Sequence, residues 1–178
     1  MNPDKIYLVG FMASGKSTVA KALGQRLSWR SEDIDDLIEK REQMTVAEIF
    51  ARHGEPYFRA AEREILQLLR PMRNLVVATG GGTFADAENR AAIDLDGVSV
   101  WIDLPLAEII PRIPLDGRRP LAADRTQLER LYTARTEAYR MASVRVNAAR
   151  VATPALVDAI LDAIHHLPPF LRTPAPSV

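Results

Sequence analysis

Short apolar runs alternate with stretches of helical spacing along most of the chain. The first run, Ile6–Val9, ends at Gly10, and residues 16–27 then place apolar side chains three and four positions apart. The runs 75–78 and 98–102 repeat this pattern, and each precedes a helical stretch. A last short run, 144–146, precedes a final helix. Strands that alternate with helices predict an α/β domain built on a parallel sheet.

Two segments carry the pattern of a capping box, in which a hydroxyl residue and a glutamate three positions later satisfy each other's free backbone donor. The first pairs Thr45 with Glu48 and the second pairs Thr126 with Glu129. Each predicts a helix start. We expect Gly54 to end the first of these helices, and a further helix to follow over residues 55–69.

Two other segments lack a regular pattern. Residues 115–125 are rich in Pro, Gly, Asp and Arg and lie between predicted helices, which favours a mobile lid. After Leu167 the chain has four more prolines and little apolar periodicity. We therefore expect one domain over residues 1–166 and a flexible tail over residues 167–178.

The composition excludes several classes of function. The 178 residues include 23 Lys and Arg and 23 Asp and Glu, so no net field attracts nucleic acid or an anionic membrane. No apolar run approaches the length of a membrane span. The absence of Cys excludes disulfides and thiol chemistry. We expect a cytoplasmic protein that binds neither nucleic acid nor membrane.

The segment after the first predicted strand fits the phosphate-loop pattern G-x-x-x-x-G-K-[ST]. Its glycines let successive backbone N–H groups face phosphate oxygens, and the helix that follows adds its positive dipole end. Lys16 would reach the β and γ phosphates, and Ser17 would bind Mg²⁺. We expect nucleotide contacts from Gly10, Met12, Ala13, Ser14, Gly15, Lys16, Ser17 and Thr18.

The phosphate loop does not by itself separate a kinase from a switch GTPase or a motor ATPase, because all of them bind phosphate alike. The chain has no N-K-x-D sequence, which counts against a guanine-reading switch. It is also too small for the usual ring ATPases.

Two carboxylates follow the first predicted helix. In a strand, Asp33 and Asp35 would point to the same side, so both could face one pocket. One can serve the metal and the other the substrate. The strand that ends near Thr79 has no Asp at its end, where many phosphate-loop enzymes place a metal-supporting carboxylate. Asp33 could take that place.

Three further motifs lie in order along the chain: Phe58-Arg59 with Glu62 one turn later, Gly80-Gly81-Gly82, and Arg119-Pro120-Leu121. With the phosphate loop and the paired aspartates, they make the sequence resemble shikimate kinase from Ile6 to about Ile164. The resemblance implies a phosphate-loop NTPase fold similar to nucleoside monophosphate kinases, with a five-stranded parallel sheet, an acceptor-binding region at about residues 33–62 and a lid at about 115–125.

The resemblance also implies roles for single residues. Asp33 would support Mg²⁺, and Asp35 would hydrogen-bond the acceptor hydroxyls. Two arginines, Arg59 and Arg135, would bind the shikimate carboxylate, and Glu62 would hold Arg59. The remaining roles are substrate contacts from Gly80, Gly81 and Gly82, stacking of Arg112 on adenine, and closure of Arg119 over the transferred phosphate.

Physical chemistry supports this assignment, because a planar guanidinium pairs with a carboxylate through two parallel hydrogen bonds. We expect Lys16, Asp35 and Arg119 to be the catalytic residues, with ATP and Mg²⁺ as cofactors. The expected reaction phosphorylates the 3-hydroxyl of shikimate, and we expect a monomer. Two alternatives stay open: a kinase for another small hydroxy acid such as gluconate, and a non-catalytic sensor of shikimate or ATP.

The sequence departs from the family pattern at three places, one of them around Arg150, where the adenine-contacting segment carries an extra residue and no role is assigned. Ala13 stands where the family usually has Gly, which a small side chain should tolerate if its φ is negative. The strand expected before Asp33 is unusually polar, since it reads Trp29-Arg30-Ser31-Glu32.

Overall fold

Five parallel strands form one sheet in the computed structural model of the protein, which describes residues 3–113 and 125–168. The strands are β1 (Lys5–Val9), β2 (Arg30–Asp33), β3 (Leu75–Ala78), β4 (Val98–Asp103) and β5 (Val144–Asn147). The order across the sheet is β2-β3-β1-β4-β5. The predicted five-stranded parallel sheet is therefore confirmed.

Helices flank the strands and account for most of the remaining described residues. They are α1 (Lys16–Leu27), α2 (Ile34–Glu42), α3 (Val46–Leu69), α4 (Ala87–Asp96), α5 (Leu106–Ile109), α6 (Arg125–Tyr139) and α7 (Thr153–His165). Short 3₁₀ turns occupy Thr83–Ala85 and Ile110–Arg112. No helix in the described residues is both long and apolar enough to cross a membrane.

Burial explains which strands are apolar. Every residue of β1 and β3 is buried, because these strands lie inside the sheet and are covered on both faces. The polar segment before Asp33 does form a strand, β2, but it lies at the sheet edge and pairs with β3 alone. An edge strand is half exposed, so polar side chains are tolerated there.

The first capping box is confirmed, since Thr45 and Glu48 each accept from the backbone N–H of the other. Gly54 has a non-helical backbone (φ 79°, ψ 174°) that kinks α3 between its two halves, close to the predicted end. The second predicted helix start is confirmed to within one residue, since α6 begins at Arg125. Glu129 pairs with Arg125 at 3.1 Å, and the hydrogen bonds predicted between Thr126 and Glu129 stay a prediction.

The carboxyl ends of the parallel strands meet at one edge of the sheet, and the segments that follow three of the strands converge there. The phosphate loop follows β1, α2 follows β2 directly, and the triple glycine follows β3. This edge is where the sequence places its chemistry. Of the predicted lid, residues 115–124 lie outside the described residues, as does the tail from residue 169 onward.

Candidate active site

The phosphate loop joins β1 to α1 as the sequence predicts. Positive backbone φ angles at Gly10 (139°) and Gly15 (95°) make the turn, which a side chain would resist. Lys16 is buried, and its ammonium donates to the carbonyls of Gly10 at 2.9 Å and Phe11 at 2.7 Å. The lysine therefore lies across the loop, where incoming phosphate oxygens can replace these carbonyls as acceptors.

Ala13 does not have the negative φ that would let an alanine take this position without strain. Its φ is +58°, in the left-handed region where a Cβ is disfavoured. The backbone of the loop keeps the conformation that a glycine would adopt, so the strain is stored at Ala13 rather than relieved by a different loop path.

Ser17 and Asp33 meet at the mouth of the loop. The Ser17 hydroxyl lies 2.5 Å from Asp33 Oδ2, and Asp33 Oδ1 accepts from the backbone N–H of Asp35 at 2.9 Å. Asp33 is thus the last residue of β2 and the N-cap of α2. The prediction that Asp33 and Asp35 point to the same side of one strand is wrong, because Asp35 already lies in the first turn of α2.

A hydroxyl and a carboxylate at this spacing fit the ligands of Mg²⁺, which keeps waters and substrate phosphates in its coordination shell. Within residues 3–113 and 125–168, no group of three or more His, Asp or Glu side chains is arranged to hold a metal. Ser17 and Asp33 would therefore hold the ion together with the nucleotide rather than in a closed protein cage.

A cavity of about 360 Å³ lies over the loop and joins these groups. Most of the predicted nucleotide and metal residues line it, together with Arg112. Two further lining residues, Asp36 and Thr79, were not predicted from the sequence as site residues. The predicted residues that line it are Ala13, Gly15, Lys16, Ser17, Thr18, Asp33, Asp35, Gly81 and Arg112. Gly10, Met12 and Ser14 belong to the loop, but they are buried and do not line the cavity.

The triple glycine brings the second group of predicted residues together. A Cβ on Gly80 would lie 2.5 Å from Glu62 Oε1 and 2.9 Å from Asp35 Oδ1. A Cβ on Gly82 would lie 2.5 Å from Arg59 Nη1. The backbone thus passes against three charged side chains, and only glycine leaves room for them.

Arg59 is held by carboxylates on its own helix. Its Nη1 donates to Glu62 Oε2 at 2.6 Å, and its Nε and Nη2 donate to Glu55 Oε1 at 3.1 and 2.7 Å. Burial lowers the pKa of Arg59, but Glu62 and Glu55 outweigh that effect and raise the pKa above its ordinary value. The guanidinium is therefore a permanent cation with a fixed orientation.

Glu62 is fully buried and is itself held from a second side. The Thr83 hydroxyl, one residue beyond the triple glycine, donates to Glu62 Oε1 at 2.5 Å. Sequence reasoning missed Thr83, because a threonine in a loop carries no distinctive signal. Thr83 therefore connects the triple glycine to Arg59 through the carboxylate of Glu62.

Arg135 approaches the same turn from α6. A Cβ on Gly81 would lie 3.3 Å from Arg135 Nη1, and the Tyr139 hydroxyl one helical turn later donates to the Gly81 carbonyl. Burial, with the nearby charge of Arg59, lowers the pKa of Arg135. Two guanidinium groups therefore face one small region, an arrangement that favours a bound anion.

Of the predicted site residues, Arg119 alone falls outside the described residues. The others form two adjoining groups: one suited to nucleotide phosphate and metal, the other to a small anionic acceptor. Asp35 and Gly81 line the nucleotide cavity and also contact the acceptor group.

The family comparisons agree with this geometry. The shikimate kinase family model matches residues 12–165. A shikimate kinase of Sulfurihydrogenibium sp. is 40% identical over 160 residues, covering 89% of this chain and 96% of the relative. One from Persephonella marina is also 40% identical over 160 residues, covering 89% of this chain and 98% of the relative.

Solved structures show the same likeness. A shikimate kinase from Acinetobacter baumannii, in complex with shikimate, superposes with a TM-score of 0.87 at 33% identity and covers 91% of this chain and 93% of that one. A gluconokinase from Sinorhizobium meliloti has a TM-score of 0.56 at 14% identity over 92% of each chain, which shows a shared fold alone.

The parallel sheet, the phosphate loop and the adjoining acceptor group define a phosphate-loop kinase. Within that class, the match over most of the chain is decisive. The chain belongs to the shikimate kinase family.

Proposed function

We propose that this protein transfers the γ-phosphoryl group of ATP to the 3-hydroxyl of shikimate, giving 3-phosphoshikimate and ADP. The observation that carries the proposal is the pair of guanidinium groups, Arg59 and Arg135, which face the triple glycine directly beside the phosphate loop. A neutral sugar would not need two cations at one place. A small carboxylic acid would use both.

Phosphoryl transfer needs little covalent chemistry from the protein, so positioning and charge supply most of the rate. Lys16 would leave the loop carbonyls and bind the β and γ phosphate oxygens. The loop N–H groups would hold the same phosphates at the start of α1. Ser17 and Asp33 would hold Mg²⁺, which would supply charge that offsets the charge of the phosphates.

Asp35 is the carboxylate best placed to orient the attacking hydroxyl, since it lines the nucleotide cavity and lies against Gly80. It would accept a hydrogen bond from that hydroxyl and direct the oxygen toward the γ phosphorus. Arg112, which also lines the cavity, would stack on the adenine. We further propose that Arg119 closes over the transferred phosphate as part of a lid at residues 115–125.

The domain organisation, the oligomeric state and the cellular compartment are also part of the proposal. We propose one catalytic domain over residues 1–166, acting as a monomer in the cytoplasm, where its substrate ATP is available. Size-exclusion chromatography with light scattering checks the oligomeric state: a mass near 19.8 kDa is expected for the monomer.

ADP release from ATP and Mg²⁺ tests the activity, with shikimate, gluconate or no acceptor. A Lys16→Met variant serves as the blank, because it removes the phosphate-binding ammonium. We expect ADP that depends on shikimate and disappears in the blank. Turnover with gluconate alone would move the substrate to another hydroxy acid. No ADP with any acceptor would indicate a sensor.

A further inference from the structure

Two carboxylates already accept hydrogen bonds from the guanidinium group of Arg59. A guanidinium offers a carboxylate two edges, the Nε/Nη2 edge and the Nη1/Nη2 edge, each with parallel N–H groups. Glu55 Oε1 accepts from both nitrogens of the first edge, at 3.1 and 2.7 Å. Glu62 Oε2 accepts from Nη1 on the second, at 2.6 Å.

The two carboxylates differ in how easily they can leave. Glu62 is 0% exposed and also accepts from the Thr83 hydroxyl, so its departure would leave a charge buried without its cation. Glu55 is 49% exposed, and its carboxylate can be solvated when it moves away. A substrate carboxylate that binds Arg59 in a bidentate manner would therefore displace Glu55 and retain Glu62.

Glu55 lies beside a break in α3. Glu55 directly follows Gly54, whose φ of 79° kinks α3, and directly precedes Pro56. It thus starts the second segment of the helix. The position is a junction between two helical segments rather than the middle of one.

The charge of Glu55 also reaches the second arginine. Glu55 and Glu62 both act to raise the pKa of Arg135, against the burial and the Arg59 charge that lower it. The charge of Glu55 therefore acts on both arginines, as the charge of a substrate carboxylate between them would.

We propose that Glu55 is an internal stand-in for the substrate carboxylate: it holds the Nε/Nη2 edge of Arg59 until the acid displaces it. The inference rests on the proposed function. Each binding event then exchanges one ion pair for another, which weakens acid binding and speeds release. Glu55 keeps Arg59 oriented between turnovers at the cost of affinity.

The test compares Glu55→Gln with Glu64→Gln. Glu64 lies on the same helix but pairs with Arg41, at 2.9 Å, and serves as the matched control. Steady-state kinetics give KM for shikimate, KM for ATP and kcat. Isothermal titration gives the dissociation constant for shikimate, and a melting curve confirms that each variant is folded.

We expect KM and the dissociation constant for shikimate to fall about two- to fivefold in Glu55→Gln, the range that a partly exposed ion pair corresponds to. KM for ATP should not change, and Glu64→Gln should match the wild type. A residue that only supports the helix would leave KM unchanged or raise it, and either result overturns the inference alone. Absence of shikimate turnover in the wild type would overturn the proposed function as well.

Discussion

Ser17 and Asp33 are joined by a hydrogen bond of 2.5 Å between the hydroxyl and Oδ2, although sixteen positions separate them in the chain. The contact links the start of α1 to the end of β2. It places a hydroxyl and a carboxylate side by side next to the phosphate loop, where Mg²⁺ prefers oxygen ligands.

An Asp33→Asn variant should weaken the Mg²⁺ site, because the amide retains the shape but loses the charge. We expect the Mg²⁺ concentration for half-maximal activity to rise about 10- to 100-fold, the usual cost of losing a group that supports a metal. The measurement is ADP release across a Mg²⁺ titration. Asp36→Asn is the control, since Asp36 lines the same cavity but is exposed. Equal Mg²⁺ dependence in all three proteins would contradict the metal assignment.

Replacing Arg59 by Lys tests whether the planar fork, rather than charge alone, binds the acid. Lysine keeps the charge but cannot pair through two parallel hydrogen bonds. KM for shikimate should rise about 10- to 100-fold, as expected when a charged hydrogen bond is lost, and KM for ATP should stay constant. Arg63→Lys on the same helix is the control, because Arg63 is half exposed and pairs weakly with Glu88 at 3.7 Å. A larger change in KM for ATP than in KM for shikimate would contradict the role.

Thr83 should act on shikimate binding through Glu62 and Arg59. Thr83→Val keeps the shape but removes the hydroxyl that donates to Glu62 Oε1. Loss of one hydrogen bond to a buried carboxylate should raise KM for shikimate about three- to tenfold while KM for ATP is unchanged. Thr83→Ser restores the hydroxyl and should restore KM. If Ser and Val behave alike, packing rather than the hydrogen bond explains Thr83.

Ala13→Gly should stabilise the protein, because φ of +58° strains an alanine and not a glycine. We expect the free energy of unfolding to rise by about 1 kcal/mol, which raises Tm by roughly 2–4 °C for a chain of this size. Thermal unfolding measures it, with Ala22→Gly on α1 as a control that should destabilise. A lower Tm for Ala13→Gly would show that the loop is not strained there.

Most strands and helices could be predicted because the spacing of apolar residues within each one is set by residues close together in the chain. The buried strands β1, β3 and β4 and the helix α1 have patterns that do not depend on distant residues. β2 was harder to predict, since an edge strand needs only partial burial and its polar residues hide it. The pattern at Thr126 and Glu129 marked the start of α6 to within one residue, because it too is local.

The site shows the same division. Lys16 and Ser17 lie in one motif whose spacing is set by the local backbone, whereas the contact of Ser17 with Asp33 depends on how α1 packs beside β2. The contact of Thr83 with Glu62 depends on how α3 packs against the triple glycine. The pair of Glu55 with Arg59 is an i, i+4 contact within α3, which helical spacing could have revealed. Lys5 lies outside the site, at the end of the sheet where the strands begin, and shows the same dependence on distant residues. It is fully buried and pairs with Asp96 at 2.6 Å, ninety-one positions away. No local pattern encodes such a contact.

The most direct test of the central claim is to identify the product itself. The protein is incubated with ATP, Mg²⁺ and shikimate, and the phosphorus NMR spectrum is recorded. We predict one new phosphomonoester, coupled to the proton on carbon 3 of the shikimate ring, formed in equal amount with ADP and absent with Lys16→Met. ADP without phosphorylated shikimate, or no product although both ligands bind, would contradict the assignment of this chain as an active kinase for shikimate.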